Sequence, residues 1–181
     1  AAEPEITDLI RFLRGCGVTI EASPGAILVQ GRDTLSGCTH TVLPDRIEAA
    51  TYLAAGAVTG GAGTVKCEPG HLAAPIAVLR RMGCKIKITG GSVALTAPEK
   101  LCGAGSIVTL PYPGFPTDLQ AVFMAAAAGA KGYTAFTETV FPRRWAHVEE
   151  LRRMGADITV AGSHAMLRGA ALTGTALTCT D

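Results

Sequence analysis

Apolar positions along the chain follow two rhythms in alternation. Ile6, Leu9, Ile10 and Leu13 recur at i, i+3, i+4 and i+7, Leu72, Ile76 and Leu79 at i, i+4 and i+7, and Trp145, Val148 and Leu151 take the same place in a third stretch. That spacing is the signature of a helix with one buried stripe. Each stretch stops at a glycine, Gly17, Gly83 or Gly155, and passes into a run in which every second residue is apolar, such as Ile86 and Ile88, then Val93 and Leu95 beyond the turn "TGG". Glycine can take the left-handed conformation that ends a helix without a Cβ clash, and a period of two marks half-buried strands joined as a hairpin. The pattern predicts a helix followed by a β-hairpin, three times over.

The three stretches are copies of one another. "FLRGCGVTIEASPGAILVQG", "VLRRMGCKIKITGGSVALTA" and "ELRRMGADITVAGSHAMLRG" share their order of apolar, Leu-Arg and Gly positions, with the glycines 66 and 72 residues apart. Periods of that length mean repeated supersecondary units rather than a short-repeat solenoid. The later two copies also match upstream, where "TVLPDRIEAATYLAAGAVTGGAGTVKC" and "VTLPYPGFPTDLQAVFMAAAAGAKGYTAFT" each give a strand, a proline corner, an acidic residue, an Ala-rich helix and another strand; Asp45 and Asp118 are 73 residues apart. The full unit reads βαβαββ, once at about 38–96 and again at about 105–168. Residues 1–31 hold the last half of a unit, so the chain reads as a piece of something longer. The Ala-rich helices are apolar around most of their circumference and must be buried on nearly all sides, which predicts an α/β fold with helices inside and sheets outside.

Composition narrows the function classes. A 181-residue chain with 48% apolar and 17% charged residues can fold around a sizeable core, and its longest apolar runs are too short to cross a bilayer. The start "AAEPEITD" has neither the basic nor the apolar region of a secretory signal. Sixteen basic against fifteen acidic residues, without long runs of either, point away from nucleic acid and membrane surfaces and towards small-molecule partners. Cys16, Cys38, Cys67, Cys84, Cys102 and Cys179 form no C-x-x-C pair and have no His at metal spacing; they read as reduced, mostly buried thiols of a cytoplasmic protein, with no metal site. His40, His71, His147 and His164 show no catalytic partner pattern, and the glycine-rich "TGGAGTV" precedes a strand, whereas phosphate cradles precede a helix.

Candidate chemistry gathers at the two places where a strand hands over to a helix. Pro111, Pro113 and Pro116 stiffen the corner "YPGFPTDLQ" that delivers Asp118 to a helix start. Asp118 is either a helix cap or a ligand-facing carboxylate. Asp45 carries the same ambiguity, because "DRIE" has the spacing of a capping box with Glu48. In "TETVFPRRWAHVEEL" Arg143 and Arg144 open a helix, where cations oppose the helix dipole; they are either solvated surface arginines or residues that meet an anionic ligand.

"LPDRIEAATYLAAGAVTGG", "PGFPTDLQAVF" and "TETVFPRRWAHVEELRRMGADI" resemble the UDP-N-acetylglucosamine 1-carboxyvinyltransferase family of enolpyruvyl transferases, over essentially the whole chain. The resemblance implies an inside-out α/β barrel of βαβαββ units in two globular domains, with residues 1–35 as the last half-unit of the first domain and 36–181 as two units of the second. It implies a reaction in which the 3-hydroxyl of UDP-N-acetylglucosamine adds to phosphoenolpyruvate and phosphate leaves, the first committed step of peptidoglycan synthesis, and with it a cytoplasmic role in cell-wall biogenesis, cell shape and division. No cofactor or metal is implied. Carried over by position, Asp118 is the general base and sugar ligand. Val140 contacts the nucleotide sugar through its backbone, Arg144 and Asp45 are cleft residues, Glu3 is a linker acid facing the site, and Asp181 precedes the next cleft segment. The family has an acidic residue and an Asn where this chain has Pro142 and Arg143. None of the six cysteines matches the family's catalytic loop cysteine, so the 181 residues alone are expected to be inactive; the missing unit of the second domain is expected to bare apolar surface through which they self-associate. The competing readings are a 3-phosphoshikimate 1-carboxyvinyltransferase, with the same fold and chemistry, and a non-catalytic repeat module that binds a nucleotide sugar or a protein.

Overall fold

A computed structural model describes residues 2–178. The chain divides into two compact units, Ala1–Pro44 and Asp45–Asp181.

The N-terminal unit is a helix followed by a hairpin. Helix α1 (Pro4–Gly15) opens on a proline, which needs no backbone donor there, and ends before Gly17 at φ +91°. Strands β1 (Thr19–Ser23) and β2 (Ala26–Gln30) pair antiparallel from Thr19↔Gln30 to Ser23↔Ala26. The half-buried alternation expected of them holds only at Ile20; no residue of β2 is buried, and Leu28 is 67% exposed. One helix and one two-stranded ribbon have too few layers to cover both faces of a strand. Residues 38–45, expected to open the first full unit as a strand, form neither strand nor helix. The backbone N–H of Leu43 instead donates to the Asp8 carboxylate at 3.4 Å, beside the His40 ring at 3.1 Å from the same oxygen. That donor is therefore withdrawn from any ladder.

The larger unit holds two successive repeats. The first runs α2 (Arg46–Val58), β3 (Ala62–Lys66), a 3-10 turn (Pro69–Leu72), α3 (Ala73–Arg81), β4 (Lys85–Ile88) and β5 (Ser92–Thr96). The second runs β6 (Gly105–Val108), a 3-10 turn (Thr117–Leu119), α4 (Gln120–Ala128), β7 (Tyr133–Thr137), α5 (Ala146–Arg153), β8 (Asp157–Ala161) and β9 (His164–Arg168). Its sheet order is β6-β7-β9-β8, with β6 parallel to β7 and the other pairs antiparallel. The first repeat gives only β3-β5-β4, so among the described residues β3 has no counterpart of β6 beside it.

The Ala-rich helices are central, as their composition requires. Ala49, Ala50, Leu53, Ala54 and Ala57 of α2 and Phe123, Met124, Ala126, Ala127 and Ala128 of α4 are buried, and the two helices pack together. Small side chains at the contact let the helix axes approach closely. The sheets lie over them, presenting Val93 and Leu95 or Phe136, Ala165 and Leu167 inwards and the lysines of β4 outwards. Phe115 and Phe123 meet edge to face, with ring centroids 5.0 Å apart, and pin the proline corner to α4.

The repeated "LRRMG" is scaffold. Gly83 and Gly155 take φ +97° and +95°, as at Gly17, and turn each helix into its hairpin. The first arginine of the motif has a second task. Arg152 donates through Nε and Nη2 to the Ile158 carbonyl at 3.1 and 2.8 Å, and the equivalent Arg14 grips the Ile20 carbonyl at 3.1 and 2.6 Å. In the middle copy it is the following arginine, Arg81, that donates to the Ala104 and Ser106 carbonyls. Arg152→Met keeps the aliphatic stem and removes this two-point clamp. It is expected to cost about 1.5–3 kcal/mol by denaturant titration, the range for hydrogen bonds from a charged donor; a change below about 0.3 kcal/mol would show that the clamp is energetically idle.

Candidate functional site

The site is built where β6 and β7 end. Alternation along β7 places Thr134, Phe136 and then Glu138 on the buried side, and alternation along β6 does the same for Ile107 and Thr109. A carboxylate thus arrives in the interior by strand periodicity alone. Glu138 is fully buried and accepts four hydrogen bonds: from Thr109 Oγ1 at 2.7 Å, Thr117 Oγ1 at 2.9 Å, and the backbone N–H groups of Val140 and Phe141 at 2.9 Å each. Burial pushes its carboxyl pKa up, but the hydrogen bonds outweigh it and hold the pKa below the ordinary value. Glu138 therefore stays ionised and ties three segments together: the end of β6, the proline corner and the loop after β7.

The corner is drawn back along its own strand. Leu110 N–H donates to the Phe115 carbonyl at 2.9 Å and Gly114 N–H to that of Pro111 at 2.8 Å, with a cis bond between Tyr112 and Pro113. Gly114 is required there, because a Cβ would run into the Leu110 side chain. The corner then enters the 3-10 turn that holds Thr117 and Asp118.

Asp118 does not cap its helix. Its Oδ1 accepts from Arg144 Nη1 at 2.9 Å, and α4 has no side-chain cap. Arg144 comes from the loop before α5; its Nη1 also lies 3.4 Å from Thr117 Oγ1, and its backbone carbonyl accepts from Gln120 Nε2 at 3.4 Å. The carboxylate that Arg144 meets is thus Asp118 of the same chain, a pairing that sequence reading does not anticipate. The second Asp118 oxygen has no hydrogen-bond partner among the described residues and faces solvent beside a cavity of about 430 Å³ lined by Thr117, Ala121, Ala125, Arg144, His147 and Glu150. Burial, and secondarily the charge of Arg144, holds the His147 pKa below its ordinary value, and its Nε2 has no partner among the described residues. The loop that carries Arg144 is fixed by Trp145, whose indole N–H lies 3.1 Å from the Pro142 carbonyl and 3.0 Å from that of Gly162.

The remaining expected site residues are distributed differently. Asp45 acts as the N-cap of α2, accepting from the Ile47 and Glu48 backbone N–H groups at 2.7 and 3.2 Å. The next residue, Arg46, places its guanidinium 5.4 Å from the centre of the Tyr112 ring, which joins the start of α2 to the proline corner. Val140 sits one hydrogen bond from Glu138. Glu3 belongs to the N-terminal unit, where it precedes α1 and makes no capping bond. Asp181 lies outside the described residues. Glu138 and Thr109 are the members that motif reading passed over; the inward phase of the strands was the signal that marks both.

The larger unit is an αβαββ repeat followed by a full βαβαββ repeat, with Ala-rich helices under antiparallel-rich sheets and the Asp118–Arg144 pair at one strand-to-helix corner, an architecture that it shares with enolpyruvyl transferases. The chain belongs to the EPSP synthase (3-phosphoshikimate 1-carboxyvinyltransferase) family, whose sequence profile matches residues 1–181. Its curated relatives include UDP-N-acetylglucosamine 1-carboxyvinyltransferase 1 of Symbiobacterium thermophilum, 46% identical over 99% of this chain and 41% of the relative. A UDP-N-acetylglucosamine 1-carboxyvinyltransferase of Finegoldia magna is 45% identical over 100% of this chain and 44% of the relative. The chain thus spans well under half the length of these relatives. Among solved structures, the enolpyruvyl transferase NikO from Streptomyces tendae superposes with a TM-score of 0.77 at 26% identity, over 92% of this chain and 40% of that one. EPSP synthase from Acinetobacter baumannii shares the fold, with a TM-score of 0.63 at 23% identity. Among the described residues no helix is long and apolar enough to cross a membrane, and no group of His, Cys, Asp and Glu is arranged to hold a metal ion.

Proposed function

We propose that these 181 residues are part of an enzyme that transfers enolpyruvyl from phosphoenolpyruvate to the 3-hydroxyl of UDP-N-acetylglucosamine. On this reading residues 1–35 end one globular domain and residues 36–181 supply two units of the next. The observation that carries the proposal is the Asp118–Arg144 pair, 26 residues apart in sequence and 2.9 Å apart in space, lining a cavity with one carboxylate oxygen left without a hydrogen-bond partner among the described residues. A general base must reach the proton that it removes. The free oxygen of Asp118 accepts a hydrogen bond from the sugar 3-hydroxyl and takes its proton as the hydroxyl oxygen bonds to C2 of phosphoenolpyruvate, while an acid outside these residues delivers a proton to C3. Phosphate then leaves C2 of the tetrahedral intermediate as a proton leaves C3, restoring the double bond. Arg144 fixes the carboxylate's orientation and adds positive charge where anionic substrates enter. Val140 has its N–H committed to Glu138, so its carbonyl is the backbone group it offers the nucleotide sugar. Asp45 and Glu3 are further cleft acids on this reading, and Asp181 leads into the next cleft segment.

The complete enzyme would act in the cytoplasm, in peptidoglycan synthesis and hence in cell shape and division. The 181 residues by themselves are proposed to be inactive, and the exposed Ile27, Leu28 and Val29 of β2 favour their self-association.

A chimera tests the reading: these residues replace the matching segment of the Symbiobacterium thermophilum relative, and phosphate release is followed with UDP-N-acetylglucosamine as acceptor. Activity is expected in the chimera and not in the isolated chain. Asp118→Asn should lower kcat by roughly 10²–10⁴-fold, the usual worth of general acid–base catalysis. Stability should hardly change, because Arg144 and Asp118 are 35% and 53% exposed and such a pair contributes about 1 kcal/mol at most. A folded but inactive chimera, or undiminished turnover in the Asp118 variant, would refute the assignment. Since the family profile is described by the shikimate enzyme, the same assay is run with shikimate 3-phosphate, and turnover of that acceptor alone would transfer the reading to it.

A further inference from the structure

We propose that Cys16 and Cys38 form a reversible dithiol–disulfide site that fastens the segment after β2 to the end of α1. Their sulfurs lie 3.4 Å apart, across 22 residues of sequence, although nothing in the sequence pairs them. Disulfide formation requires the sulfurs to close from 3.4 Å to about 2.05 Å. The surroundings are arranged for this contact. Gly15 has no side chain, and a Cβ there would stand 3.2 Å from the Cys38 sulfur. Ser36 N–H donates to the Cys16 carbonyl at 3.0 Å, and the Cys38 thiol is directed at the Phe12 carbonyl at 3.7 Å. Farther along the same segment the His40 ring lies tilted against Phe12, with ring centres 5.6 Å apart, and bonds Asp8. Residues 36–43 are thus laid along α1 by one backbone hydrogen bond at Ser36 and by side-chain contacts, with the two thiols at one end and the Asp8–His40 pair at the other.

The two cysteines are unequal. Cys16 is buried, and its hydrogen bond to Cys38, together with burial, raises its pKa; Cys38 is the more accessible. This sets the order of exchange with a small-molecule disulfide. The Cys38 thiolate attacks one sulfur of RSSR and expels RS⁻, giving a mixed disulfide. Cys16 then attacks the Cys38 sulfur and expels the second RS⁻. Two electrons pass from the protein thiols to the oxidant, the two thiol protons end on two RSH, and one internal bond is formed. A dithiol reductant reverses the sequence. The closed loop of this length restricts opening of the segment by on the order of a hundredfold in the chain-entropy description.

The test uses the 181-residue chain with oxidised glutathione as oxidant. Intact mass is expected to fall by two hydrogens with no retained glutathione, and peptide mapping to give a Cys16–Cys38 cross-link. Alkylation of both residues should drop roughly tenfold or more and return with dithiothreitol, while Cys67 and Cys84 are unaffected. Cys16→Ser should trap glutathione on Cys38, and Cys38→Ser should leave Cys16 a free thiol. The wild-type experiment decides the matter even if a variant misfolds. Two thiols still open to alkylation, arrest at a glutathione adduct in the wild type, or pairing of Cys38 with another cysteine would each overturn the proposal.

Discussion

Glu138→Ala is expected to destabilise the Asp45–Asp181 unit by about 2–5 kcal/mol, from buried threonine hydroxyls that lose their acceptor at about 1–3 kcal/mol each. Four donors converge on the carboxylate: two threonine hydroxyls and two backbone N–H groups. Alanine would leave the buried Thr109 and Thr117 hydroxyls without this acceptor, whereas the N–H groups of Val140 and Phe141 are only partly buried and turn to water. Glu138→Gln keeps one acceptor oxygen but turns an NH₂ towards groups that themselves donate, so about 1–3 kcal/mol should still be lost. The pH dependence carries the sign of a depressed carboxyl pKa. Folding keeps Glu138 ionised more readily than the unfolded chain does, so its stabilisation is complete above the unfolded value, about 4.3. It disappears as pH falls through the lower folded value. Urea titrations from neutral pH downwards should therefore show a steeper acid loss in the wild type than in Glu138→Gln. Equal acid slopes, or an alanine variant within about 0.5 kcal/mol of wild type, would contradict this account.

The second large effect is steric. Gly169→Ala is expected to cost about 3 kcal/mol or more. Gly169 follows β9 and donates its N–H to the Gly132 carbonyl at 2.9 Å, and a Cβ there would be driven into the Ala130 carbonyl. Backbone cannot swing aside as a long side chain can, so the β9 end must separate from the loop after α4. Gly129→Ala is the control in the same loop: nothing lies within 4 Å of its Cβ position and its φ is −94°. That substitution should be neutral or stabilising by up to about 1 kcal/mol through the unfolded chain. If the two variants unfold at the same denaturant concentration, the close approach at Gly169 is not a constraint.

Much of the architecture was legible before any coordinates. Helical and strand periods located the repeats, Gly17, Gly83 and Gly155 took the left-handed conformation their positions predicted, and the Ala-rich composition of α2 and α4 required an interior. The failures share a cause. Strand β2 alternates like a half-buried strand yet is exposed throughout, and residues 38–45 look like the strand opening a unit but leave their donors to Asp8. A local pattern states what a segment can bury or pair with, not whether a partner layer is present.

The candidate site divides along the same line. Spacing could not separate cap from ligand at two equivalent aspartates, and the structure treats them differently: Asp45 bonds the helix N–H groups, whereas Asp118 turns to Arg144. The proximity of Cys16 to Cys38 had no sequence signal at all.

The sequence by itself determined the repeated unit, its helix stops, the burial of its Ala-rich helices and its family resemblance, because these depend on residues close in the chain. Which carboxylate caps and which meets a guanidinium, that Glu138 binds three segments at once, and that two distant thiols touch were decided only by tertiary structure. Each joins residues some 20 to 30 positions apart, and such contacts exist only once long-range packing has brought their backbones together.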